Sequence, residues 1–129
     1  MGLGCTNQKF PYFSIMTLNQ LRALALALPE VTEEPHFEKT SFRVKKKIFA
    51  TYDERTNRAS IKLSEIDQHV FCSGDGKHIY PVDNKWGKQG WTLFELEKAH
   101  PDIFRDALTT AYCTVAPRKL AEQVRPADD

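Results

Sequence analysis

The clearest chemical signature in this chain belongs to its cations. Between positions 39 and 62 stand Lys39, Arg43, Lys45, Lys46, Lys47, Arg55, Arg58 and Lys62, against only Asp53 and Glu54. That segment carries +6 and the remaining residues −5, so the total of +1 hides a strong internal asymmetry. Further along, Lys85 and Lys88 flank Trp86, with Trp91 close behind. Cations in hairpin tips with aromatics nearby can grip phosphates and stack on bases. The competing structural use of such lysines is to solvate strand edges and keep them from pairing with other chains. The near-neutral total excludes a uniformly basic, histone-like protein and an acidic solvating tail.

Other chemistries find less support. His69 and Cys72 fall three residues apart and His78 follows them. A zinc site needs three or four converging ligands, and no HxxH, HExxH or CxxC spacing completes one. The expectation is no metal, with His69 on the surface and Cys72 a small core hydrophobe. No GxSxG elbow or Ser-xx-Lys pattern is present, and no cysteine sits in a setting that lowers its pKa. Gly74-Asp75-Gly76 lacks the third glycine and the strand-to-helix context of a dinucleotide site, so it reads as a turn. Glu33-Glu34 and Asp53-Glu54 read as solvated loop charge. The expectation is therefore a non-catalytic protein without a cofactor. Cys5, Cys72 and Cys113 are odd in number, form no CxxC pair and follow no secretory signal, which implies a reduced, cytoplasmic setting.

These residues need a frame to hold them. At 129 residues, 41% hydrophobic and 27% charged, the chain fits one globular domain whose core needs no disulfide or metal. The longest apolar stretch, Leu21 to Leu28, is interrupted by Arg22 and falls far short of the ~20 residues that span a bilayer. Met-Gly-Leu-Gly-Cys-Thr at the start formally fits an N-myristoylation pattern, with Cys5 as a possible palmitoylation site. The more economical expectation is that Met16 is the start of the domain and 1–15 an extension, in which Phe10, Tyr12 and Phe13 could pack on the surface.

Thr17 reads as an N-cap and Gln20 completes a capping box. Leu18, Leu21, Leu24 or Ala25, and Leu28 follow helical spacing, and Pro29 ends the helix. Glu30 to Glu38, acidic and containing Pro35, reads as a loop. Thr40 to Val44 and Lys47 to Tyr52 are β-prone runs around Lys45-Lys46. A two-residue turn there sets Phe42 opposite Phe49, with Arg43, Ile48 and Ala50 on the other face. Lys-Lys is poor chemistry for such a turn, which leaves a longer one open. Ala59, Ile61 and Leu63 alternate with Ser60 and Lys62 as a third strand. Ser64 caps a short helix to about Cys72 that carries Ile66, Val70 and Phe71 inward. Ser73-Gly74-Asp75-Gly76 is a turn. His78 to Val82 and Trp91 to Leu96 are the last strands, separated by a loop over 83–90. Pro101 starts the final long helix, with Ile103 or Phe104, Ala107, Leu108, Ala111, Tyr112 and Val115 inward. A short turn of helix after Pro117 leads to a frayed tail over 123–129. The order α-βββ-α-ββ-α implies an α+β domain, a mostly antiparallel five-stranded sheet with helices on one face.

Several segments resemble the MmcQ/YjbR family of small, mainly bacterial proteins. They are Leu-Ala-Leu-Pro-Glu-Val-Thr-Glu (26–33), Phe-Arg-Val-Lys-Lys-Lys-Ile-Phe-Ala (42–50), Ile-Lys-Leu (61–63), Tyr-Pro-Val-Asp-Asn-Lys-Trp-Gly-Lys-Gln-Gly-Trp-Thr (80–92) and Ala-Tyr-Cys-Thr-Val-Ala-Pro-Arg-Lys-Leu (111–120). The likeness spans 16–122, which sets the expected domain. It implies a frataxin/CyaY-like fold and DNA binding through a double wing of hairpins. Carried over by position, the matched residues are Lys47, Lys62, Lys88 and Trp91. Where family members commonly have glycine at the first hairpin tip, this chain has Lys45-Lys46. Frataxin-like folds also suggest iron binding, but that role needs an acidic first helix, and Leu18 to Leu28 contains no Asp or Glu.

The expected partner is thus DNA and the expected state a monomer. Arg43, Lys45, Lys46 and Lys47 form one wing, Lys85, Trp86 and Lys88 the other, with Lys62 on the third strand. The alternative is a small-ligand or protein-interaction module using Trp86, Trp91 and Tyr80 around a cleft, although a core position suits Trp91 better.

Overall fold

The computed structural model describes residues 16–74 and 76–125. What the sequence suggests for 1–15, Asp75 and 126–129 lies outside the described residues. Helix α1 (Leu18–Leu26) starts where local chemistry dictates. Thr17 Oγ1 accepts from the Gln20 N–H at 3.2 Å, and Gln20 Oε1 accepts from the Thr17 N–H at 2.9 Å, closing the capping box. Leu21 and Ala25 are fully buried, with Leu18, Leu24 and Leu28 packed at the core margin.

The acidic stretch after Pro29 is not a loop. It forms β1 (Val31–His36), antiparallel to β2 (Lys39–Val44). As an outermost strand β1 ladders on one side only, so Pro35, which has no N–H to give, is tolerated there. Glu33 is anchored to α1 by Arg22, whose Nε and Nη2 each donate to one carboxylate oxygen, at 2.7 and 2.9 Å.

The chain passes from β2 into β3 (Lys47–Asp53) through a two-residue turn of Lys45 and Lys46, with φ of 50° and 70°. Right-twisted hairpins require this left-handed pair, and here lysines supply it in place of Asn-Gly. A register shift between Phe42 and Arg43 pairs Phe42 with Ala50, not with Phe49 as expected. The bulge adds one residue to β3, so Phe49 and Ala50 are both fully buried and Ala50 leaves the face of Arg43 and Ile48. Phe49 lies edge-on to Tyr112 with ring centroids 5.5 Å apart.

Strand β4 (Arg58–Lys62) alternates as its sequence suggests, burying Ala59 and Ile61. Helix α2 (Glu65–Gly74) starts after Ser64, whose Oγ accepts from the Asp67 N–H at 3.1 Å. It runs two residues further than expected and takes Ser73 and Gly74 out of the anticipated turn. Its Ile66 and Val70, expected inward, are 77% and 60% exposed. The helix is held instead by Phe71, which meets the Phe94 ring, and by Gln68, whose Nε2 donates to Gly87 O, Trp91 O and Thr92 Oγ1.

Strand β5 (Ile79–Pro81) precedes a one-turn helix, α3 (Lys85–Lys88), inside the stretch expected as loop. Strand β6 (Trp91–Glu95) follows. Helix α4 (Pro101–Val115) has Pro at its first position and His100 Nδ1 accepting from the Asp102 N–H at 3.1 Å. It buries Phe104, Ala107, Leu108, Ala111 and Tyr112 and leaves Ile103 exposed. Helix α5 (Arg118–Val124) takes in Gln123 and Val124, and Arg125 donates to Thr110 Oγ1 and Asp106 Oδ1, each at 3.0 Å.

The result is α+β, with six antiparallel strands rather than five, in the order β1-β2-β3-β4-β6-β5. The strand missed in the sequence is β1. Helix α1 packs by β1, α4 against β3 and β4, and α2 by β5. Among the described residues no helix is long and apolar enough to cross a membrane.

Candidate nucleic-acid interface

Strand register decides which cations meet. The hairpin turn follows Val44, β3 begins at Lys47, and β4 ends at Lys62, which pairs with Trp91 at the start of β6. One end of the sheet therefore carries Lys45, Lys46 and Lys47 from the hairpin and Lys62 from β4. Lys85 and Lys88 join them there from α3, which leads into β6. Neighbouring strands lie ~4.8 Å apart, so β3 and β6, on either side of β4, are separated by about 10 Å at this end.

The cations are not equivalent. Lys45 Nζ pairs with Glu30 Oε1 at 2.7 Å. Arg43 lies half-buried on the sheet, its Nε donating to Ser41 Oγ at 3.0 Å and its Nη2 to Pro35 O at 3.3 Å, which ties β2 to β1. Lys62 Nζ donates to Gln89 O and braces the turn before β6. Lys85 Nζ stands 5.5 Å from the Trp86 ring centroid, within cation–π range. Lys46, Lys47 and Lys88 are exposed, and among the described residues none of them joins an ion pair.

The local fold holds Trp86 outward. Asn84 caps α3, its Oδ1 accepting from the Trp86 N–H at 2.8 Å. The next residue must be glycine, because a Cβ on Gly87 would run into the Val82 carbonyl. Gly90, with φ of 104°, turns the chain into β6 so close to the Leu63 carbonyl that a Cβ would collide with it. Trp86 remains 49% exposed.

The sheet face opposite the helices is open. The alternation that buries Ala50, Ile61, Thr92 and Phe94 turns Thr51, Ser60 and Trp91 outward. These three, with His36, Lys39 and Ile48 from the first strands and Val82, Asn84 and Trp86 from the β5–α3 segment, line a cleft of about 420 Å³. Trp91, expected in the core, is half-buried as a wall of this cleft. Thr92 takes the core position instead, its hydroxyl donating to Gly90 O at 2.9 Å and accepting from Gln68 Nε2 at 3.2 Å.

Tyr80 does not line this cleft with the two tryptophans. Its hydroxyl donates to Glu95 Oε2 at 2.6 Å and accepts from Arg58 Nη1 at 3.2 Å, while His78 Nδ1 lies 3.3 Å from Glu95 Oε1. These contacts, the Tyr80 hydrogen bond foremost, hold the Glu95 carboxyl below the ordinary glutamate range.

The sequence reading missed the cleft floor. Alternation along β4 already marked Ser60 as outward, but His36 was hidden with β1. The Cys72 and Cys113 thiols are pushed up by burial, which keeps them protonated. Among the described residues no three His, Cys, Asp or Glu side chains group as metal ligands.

The molecule is thus an antiparallel sheet backed by helices, with a basic end and an aromatic open face. The YjbR family model matches residues 26–114, and the chain belongs to the YjbR family. A similar solved structure is the crystal structure of Deinococcus radiodurans protein DR2400, with its family-model domain DUF419. It is 20% identical, covers 89% of this chain and 92% of that one, and superposes with a TM-score of 0.71. No curated protein matches.

Proposed function

We propose that this protein is a monomeric, cytoplasmic, non-catalytic DNA-binding protein of frataxin/CyaY-like, double-wing type. The observation that carries the reading is the gathering of cations from three separate chain segments at one end of the sheet. One wing is the β2–β3 tip with Lys45, Lys46 and Lys47, and the other is α3 with Lys85, Trp86 and Lys88. Lys62 and Arg43 support them, since both are engaged by neighbouring oxygens. Phosphates are the natural counterpart of such a surface, because neutralising them releases condensed counterions. The iron-binding alternative lacks support, since α1 contains no carboxylate.

Binding to short DNA should weaken steeply with salt. Replacing Lys45, Lys46 and Lys47 together with alanine should lower the slope of log K against log[salt] by about two to three. The lower figure is favoured, because Lys45 already pairs with Glu30. Fluorescence anisotropy at several salt concentrations reads this directly. Absence of binding to both single- and double-stranded DNA at ~50 mM salt, where backbone contacts dominate, would end the proposal.

A second reading draws on the open-face cleft, whose ~420 Å³ lies within the range of about 300–1,000 Å³ typical of small-ligand sites. On that reading a metabolite panel gives a thermal-shift hit while nucleic acid gives none.

A further inference from the structure

We infer that the open-face cleft takes the unpaired bases of a single strand, so that the protein prefers single-stranded to duplex nucleic acid. The inference rests on the nucleic-acid reading above and concerns the sheet face between the wings, which shares Trp86 with the second wing. The open face of a one-sided antiparallel sheet is ordinarily polar. Here it carries Trp91 and Ile48, and Trp86 is brought over it from outside the sheet.

Trp86 is preorganised. Asn84 caps its backbone N–H, Gly87 permits the close approach to Val82, and Gln68 Nε2 donates to Gly87 O at 2.9 Å from α2. These three constraints fix the backbone from which a 49% exposed indole projects, with Lys85 Nζ 5.5 Å from its ring centroid. Indoles and Ile48 offer apolar contact to the flat faces of bases. The hydroxyls of Thr51 and Ser60 offer hydrogen bonds to base edges. Charge complementarity selects the occupant: Lys39 lines the cleft itself, Lys85 stands at the Trp86 ring, and Lys46, Lys47 and Lys88 lie at the same end of the sheet as Trp91. A polyanion carrying planar apolar groups matches both features at once. In a duplex those groups are stacked inside and cannot reach the cleft, whereas a single strand presents them.

The test titrates an oligothymidylate of about 12 nucleotides, a length within single-strand site sizes, and a duplex of similar length against the full chain. Single-strand affinity should exceed duplex affinity at least tenfold, with quenching of intrinsic tryptophan fluorescence on binding. Trp86→Ala should cost the single strand at least about fivefold, and more than it costs the duplex, leaving the salt slope unchanged, and Trp86→Phe should restore most of the single-strand loss. Duplex binding as tight as single-strand binding, or a Trp86→Ala variant with unaltered single-strand affinity and a native thermal melt, would overturn the inference while leaving the DNA-binding proposal intact. Binding of neither nucleic acid would overturn both. Thermal stabilisation by a small metabolite that displaces no oligonucleotide would reassign the cleft to the ligand and overturn the inference alone.

Discussion

Lys45 and Lys46 pay for their place at the hairpin tip. A left-handed backbone costs a non-glycine residue roughly 1–2 kcal/mol, and both lysines adopt it, at φ of 50° and 70°. Lys46→Gly relieves that strain but adds the unfolded-chain freedom of glycine, roughly 0.4–1 kcal/mol. The net expectation is a gain of about 0.5–1 kcal/mol in urea unfolding, together with a shallower salt dependence of DNA binding. A loss of stability would show that Lys46 contributes a folded-state contact that compensates for its backbone. At the other end of the sheet, Tyr80 and Glu95 make a testable pair. Glu95 is held below the ordinary value near 4.5 in the folded state, so its contribution to stability is present above that value and is lost as pH falls through the depressed one. Tyr80→Phe removes the largest cause of the shift. The variant should lose about 1.5 kcal/mol at neutral pH, the lower end for a hydrogen bond to a charged group because the site is partly wet. Its deficit relative to the parent should shrink as urea titrations move below pH 4.5. A deficit independent of pH would mean that the hydroxyl contributes through the bond it accepts from Arg58 and not through the Glu95 carboxylate.

Elements whose signals are local were legible, and those defined by distant partners were not. The Thr17–Gln20 capping box, Pro101 at the start of α4 and the alternation of Ala59 and Ile61 are short-range chemistry, and each element stands where its residues suggest. Strand β1 hid behind Glu33, Glu34 and Pro35 because its identity comes from pairing with β2 and from Arg22 in α1. The inversion of Trp91 and Thr92 depends on Gln68, more than twenty residues away, which satisfies the buried hydroxyl. The cleft was illegible for the same reason, since its floor is assembled from β1, β2, β3, β4 and β6. Helix α2 shows the limit of apolar spacing as a guide, since Ile66 and Val70 share a face that meets solvent. The turn that delivers β6 depends on a single residue. Gly90→Ala should destabilise by about 3 kcal/mol, combining a left-handed φ with a collision against Leu63 O, and thermal or urea unfolding measures it. A loss below about 1 kcal/mol would show that the β4–β6 junction yields more readily than its geometry suggests.

For the molecule as a whole, net charge is a poor guide and charge position a good one. The +1 total belongs to a chain whose central segment, the β2–β3–β4 meander, holds +6. Folding then brings the cations of α3 to the same end, which the linear sequence did not reveal. The two outermost strands complete the picture. Pro35 sits within β1, and β5 is only three residues long and ends in Pro81. Each border thus lacks an amide donor that a visiting strand would need, and neither offers a long continuous template. Growth of the sheet by recruitment of another polypeptide is disfavoured on both flanks. An aromatic face can therefore stay open to solvent in a crowded cell without the sheet beneath it seeding fibrils.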